Sequence, residues 1–174
     1  MRIPVWRRFW PLAALPATLI LGLALRAWIL ESSREPPDYS RIAADLYVGA
    51  RLKQPPPGTT AVLNLCEFDD PYTVAAYSWQ PIRDAEPAPG IDWLRRQVDW
   101  ITQQREAGHT VFVHCQNGVS RSGLVVVALF MHTGGLTRDE ALSFVRSRRP
   151  GVRPHPAFME LLGQWEQALA QANR

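Results

Sequence analysis

Residues 110–131 read TVFVHCQNGVSRSGLVVVALFM, and no other stretch narrows the choice of fold so far. Thr110–His114 is a short β-branched run suited to a strand, whereas Leu124–Met131 is apolar on every side, as a helix enclosed by core must be. The helix is too short to cross a membrane, so it belongs at the middle of a globular core. A buried strand that leads through one turn into a buried helix implies a sheet covered by helices.

The turn itself carries chemistry. Residues 116–121, Gln116-Asn117-Gly118-Val119-Ser120-Arg121, bend at a helix N-terminus, where successive backbone N–H groups can point into one hollow and the helix dipole favours an anion. Gly118 supplies the backbone freedom such a bend needs. Cys115, at the base of the hollow, sees the same positive field, which lowers a thiol pKa and produces a nucleophilic thiolate near neutral pH. Arg121 can hold two oxygens of a bound oxyanion with a guanidinium that does not lose its charge.

Around this unit the pattern predicts strands at Leu46–Val48, Ala61–Leu65 and Ser78–Ile82, each bounded by turn residues. Ile91, Leu94, Val98 and Ile101 repeat at helical spacing within residues 91–107, and Gly108 is placed to end that helix. Thr137 and Glu140 form a capping-box pattern opening a helix that Pro150 stops near Arg148, and a last helix spans about 156–170. The expected fold is α/β, with a central mixed sheet of about four or five strands flanked by helices.

The net charge of +3 raises the question of an acidic partner. Residues 1–37 hold Arg2, Arg7, Arg8, Arg26 and Arg34 against Glu31 and Glu35, which leaves 14 basic and 14 acidic residues in the rest. The bias therefore belongs to the N-terminal segment, and nucleic acid is not an expected partner. Two cysteines, Cys66 and Cys115, are too few for a disulfide scaffold and lack metal-ligand spacing with the four histidines.

Phe9–Leu25 carries no charge, and the run reaches Leu30 if Arg26 snorkels to an interface. Trp10 and Trp28 would stand roughly 27 Å apart on a helix rising about 1.5 Å per residue. An N-terminal hydrophobic helix over residues 1–30 is thus expected as a single-pass membrane anchor, the competing possibility being a cleaved signal peptide. Arg2, Arg7 and Arg8 before the run point the rest of the chain outward, to the periplasmic side, by the positive-inside rule. Residues 31–37 form a charged, proline-containing linker, and the folded domain is expected over 38–174.

HCQNGVSRSG resembles the Cys-x5-Arg signature of cysteine-dependent phosphatases and is most similar to their dual-specificity subgroup. The likeness extends to DLYVG, AVLNLC, PIRD and the closing helices, and so covers nearly all of residues 38–170. The resemblance implies that Cys115 is the nucleophile, that Gln116, Asn117, Gly118, Val119, Ser120 and Arg121 bind phosphate, and that Ser122 stabilises the departing thiolate. It implies that Asp84, in PIRD, is the general acid, with Glu86, Asp69 and Asp70 as rival carboxylates. His114 would orient the loop, and Cys66 would protect Cys115 as a reversible disulfide. No cofactor is implied.

Phosphorylated proteins are the implied substrates, at tyrosine as well as serine and threonine, because the domain is short for a deep cleft and the loop side chains are neutral. A lipid or small-molecule phosphatase and a non-catalytic phosphate-binding module are the alternatives. This sequence departs from the pattern at His155, where many relatives have an Asn that bears on how the loop is braced from behind, and at Gly123, where many have Ala.

Overall fold

The computed structural model describes residue 26 and residues 38–172. The expected membrane segment, residues 1–30, lies outside them apart from Arg26, and no helix among the described residues is long and apolar enough to cross a membrane.

Five strands form one sheet in the order β1-β2-β5-β3-β4, with β1 Tyr39–Ala43, β2 Leu46–Ala50, β3 Ala61–Asn64, β4 Ala76–Trp79 and β5 Val111–Cys115. β1 runs antiparallel to β2, while β2, β5, β3 and β4 are mutually parallel. Four helices complete the domain: α1 Ile91–Glu106, α2 Arg121–Gly134, α3 Arg138–Arg148 and α4 Pro156–Ala172.

β5 lies between β2 and β3 and is buried along its whole length, which is why its sequence, His114 apart, is apolar rather than alternating. α2 leaves the end of β5, and Leu124 through Leu129 are all buried in it. Trp165 of α4 closes the core over α2, its indole Nε1–H donating to Ala128 O at 3.1 Å. Thr137 and Glu140 make the expected reciprocal cap at the start of α3.

Two expectations need correction. The strand expected over Ser78–Ile82 is β4, Ala76–Trp79, and it stops short of Ile82 because the register slips there: Gln80 N donates to Asn64 O but Ile82 N to Leu65 O, and Ile82 O accepts from Arg121. The N-terminal strand β1 was not expected. Only Ile42 of its five residues is buried, so the apolar pattern that marks an interior strand is missing.

Because β1 alone is antiparallel, Tyr39 pairs with Gly49, which pairs in turn with His114. The start of the domain and the end of β5 therefore lie at the same end of the sheet. This end, where the parallel strands finish, is where ligands bind in open α/β folds.

Candidate active site

The loop after β5 is pressed against β2. Gly118 has φ +62, and a Cβ there would lie 2.3 Å from Gly49 C and 2.6 Å from Ala50 N. Both the left-handed backbone and the contact demand glycine. Gln116 and Asn117 leave their side chains exposed while the main chain turns inward.

Cys115 sits beneath this loop, 2% exposed, with its Sγ 3.4 Å from Ser122 Oγ. Burial alone would push its thiol up. The Ser122 hydroxyl, the main-chain amides of Ser122 and Val119 and the charge of Arg121 outweigh it and hold the thiol below its ordinary range. Arg121 is itself buried at 6% exposure. Its Nη1 donates to Glu67 Oε2 at 2.7 Å, to Ile82 O at 3.1 Å and to Leu65 O at 3.4 Å, while its Nε is buried without a partner. One edge of the guanidinium is thus fixed to the protein, and an unsatisfied donor is left for an oxyanion.

Asp84 lies on the connection between β4 and α1, and its Oδ1 accepts a 2.5 Å hydrogen bond from Ser120 Oγ. Ser120 precedes α2 without capping it; its hydroxyl accepts from His155 N at 2.9 Å and donates to Asp84 instead. A carboxylate is therefore held at the rim of the loop. The rival acids are placed elsewhere. Asp69 accepts from the Tyr77 hydroxyl at 2.6 Å, and Glu86 lines a separate cavity of about 690 Å³ with Pro87–Gly90 and α4. Asp70, its side chain fully buried, accepts from His114 Nε2 at 2.8 Å.

The other ring nitrogen, His114 Nδ1, is 3.7 Å from Cys66 Sγ. Burial pushes the Cys66 thiol up to about 12, with the nearby Cys115 charge adding to it, so Cys66 keeps its hydrogen and can donate it to the ring. His114 ties the end of β5 to the β3–β4 connection, and both cysteines are free.

The sequence profile of the family "Dual specificity phosphatase, catalytic domain" matches residues 56–168, a span that takes in this entire constellation. The chain belongs to that family. Mouse Dual specificity protein phosphatase 1 is 36% identical over 111 residues, which are 63% of this chain and 30% of that protein. A protein of Invertebrate iridescent virus 6 named for a tyrosine phosphatase, 123R, is 30% identical over 137 residues, 77% of this chain and 96% of the viral one. Among solved structures, human DUSP28 superposes with a TM-score of 0.70 at 27% identity, covering 78% of this chain and 97% of its own.

Within this dual specificity phosphatase domain, the residues expected from sequence come together: Ser122 meets Cys115, Ser120 meets Asp84, and Arg121 lies within range of the charges of both Cys115 and Asp84. Two participants escaped sequence reasoning. Glu67, which orients Arg121, follows Cys66 in a loop with no regular pattern. Arg149 follows α3 with no motif to mark it, yet its side chain is 11% exposed and its Nε donates to Gly118 O at 2.7 Å. Gly123 has a local explanation: a Cβ there would lie 2.8 Å from Val152 Cγ1, so the segment after α3 packs on the bare start of α2. His155 reaches the loop through its backbone N–H, an interaction that does not depend on its side chain.

Proposed function

We propose that this protein hydrolyses phosphomonoesters of protein tyrosine, serine and threonine through a phosphocysteine intermediate. The observation that carries the proposal is the buried Cys115 thiol, drawn down by Ser122, the Val119 amide and Arg121, whose buried Nε has no partner. Sγ attacks phosphorus while Arg121 and the loop amides hold the equatorial oxygens. Asp84 protonates the leaving oxygen and then takes a proton from the water that cleaves the phosphocysteine, with Ser122 donating to the departing sulfur. The exposed position of Asp84 at the rim suits a residue that must meet bulky substrates.

Turnover of an aryl phosphate and of phosphopeptides tests this on the wild type and three variants. Cys115→Ser and Arg121→Ala should lose nearly all activity. Asp84→Asn should lose about 10²- to 10⁴-fold on phosphopeptides and less on an aryl phosphate with a good leaving group, as removal of a general acid does. Equal activity of Asp84→Asn and wild type on phosphoserine peptides would reassign the acid. Faster turnover of phosphatidylglycerophosphate or phosphoinositides than of any phosphopeptide would move the substrate from protein to lipid.

Residues 9–30 support attachment to a membrane with the catalytic domain on the outer side. Resistance of the chain to carbonate extraction, together with protease sensitivity of the domain in intact spheroplasts, is the expected result. Cys66 supports protection of the nucleophile by a reversible disulfide. A non-reducing peptide map after mild peroxide should show Cys66 linked to Cys115, and sulfinic acid at Cys115 without any such link would refute it.

A further inference from the structure

A trans peptide unit is planar, so its C=O and N–H point in opposite directions. A loop that turns its amides inward toward an anion must therefore turn its carbonyls outward, and each outward carbonyl needs a donor if water cannot reach it. Two of the four carbonyls of residues 116–119 are met by main chain. Gln116 O accepts from Arg51 N at 3.3 Å, and Val119 O accepts from Arg153 N at 2.9 Å. The middle two are met by one side chain: Arg149 donates from Nε to Gly118 O at 2.7 Å and from Nη2 to Asn117 O at 3.3 Å.

These two carbonyls share their peptide planes with the N–H groups of Gly118 and Val119. The Val119 amide is among the groups that stabilise the Cys115 thiolate. We propose that Arg149 is a positioning residue for the reaction: by holding the Asn117 and Gly118 carbonyls outward, it keeps the Val119 amide aimed at the thiolate and, given the phosphatase activity proposed above, the Gly118 and Val119 amides aimed at the phosphoryl group.

Three further features fit this role. Arg149 Nη2 also donates to Asp38 Oδ1 at 2.6 Å, and Asp38 O accepts from Ala50 N at 2.8 Å, so the guanidinium is itself oriented by a residue anchored on β2. A Cβ on Gly118 would lie 2.5 Å from Arg149 Nη2, so the glycine admits the arginine as well as the bend. A planar fork reaching two carbonyls and a carboxylate is a task that a lysine ammonium cannot reproduce.

The test uses the full chain in mild detergent, with Arg149→Met, Arg149→Lys and Asp38→Asn. The readouts are the pH dependence of Cys115 alkylation by iodoacetamide, inhibition by orthovanadate, kcat/KM on an aryl phosphate, and Tm. In Arg149→Met the alkylation profile should move to higher pH, with vanadate affinity and kcat/KM falling together by about 10- to 100-fold, the scale of losing an outer-layer partner at other sites. Arg149→Lys should fall between Arg149→Met and wild type, and Asp38→Asn should shift in the same direction by less. A lower Tm with an unchanged alkylation profile and unchanged vanadate affinity would make Arg149 a stabiliser of the fold alone and overturn the proposal. If Arg149→Met does not fold, Arg149→Lys and Asp38→Asn decide the matter by the same criterion. Alkylation does not depend on turnover, so an inactive wild type whose alkylation profile still responds to Arg149 would refute the activity and keep the brace.

Discussion

Arg121 illustrates how much of the site is set by single side chains. Nη1 meets two carbonyls and one carboxylate, which orients the guanidinium before any substrate arrives. Arg121→Lys keeps the charge but loses this geometry, and turnover should fall nearly as far as in Arg121→Ala, as a kcat/KM comparison will show. Glu67 is different, because its side chain is half exposed and the two carbonyls remain without it. Glu67→Gln should therefore raise KM for an aryl phosphate by less than about fivefold, the scale of one solvent-screened ion pair. The sequence made Cys115 and Arg121 legible because thiol, glycine and guanidinium fall within one turn. It hid Glu67 and Arg149 because their partners lie 54 and 31 residues away along the chain, and neither has a local motif.

Elements with a strong period were legible for a related reason. β5 and residues 121–129 of α2 are buried on all sides, so their composition alone reveals them, and the Thr137–Glu140 cap fixed the start of α3. Thr137→Ala should cost about 1 kcal/mol in urea denaturation, the usual cost of losing such a cap, with little effect on kcat. The edge strands were harder to see. β4 alternates half-buried with exposed residues, among them Tyr77 and Trp79, and β1 buries a single side chain. Neighbouring strands, which no sequence window contains, decide where such segments begin and end.

For the whole molecule, the lowered Cys115 pKa sets two pH dependences of the same origin. Activity should fall as pH drops through the folded-state value, because the thiolate is the nucleophile. Stability follows the same sign: a group whose pKa is depressed on folding adds stability above its ordinary range, and that contribution disappears as pH falls through the folded-state value. Wild type should therefore gain stability relative to Cys115→Ser as pH rises toward the ordinary thiol range, measured by urea denaturation under reducing conditions. A difference independent of pH would mean that the sulfur is protonated throughout.

The antiparallel setting of β1 has a practical result. Asp38 shares one end of the sheet with the loop but meets Arg149 on the side where the loop carbonyls face, so the polypeptide joins the described domain behind the anion hollow. A bulky protein fused directly ahead of Asp38 would load that brace and leave the opening clear. Its turnover of large phosphoproteins and of p-nitrophenyl phosphate should fall together, whereas the same partner attached after α4 should leave both unchanged.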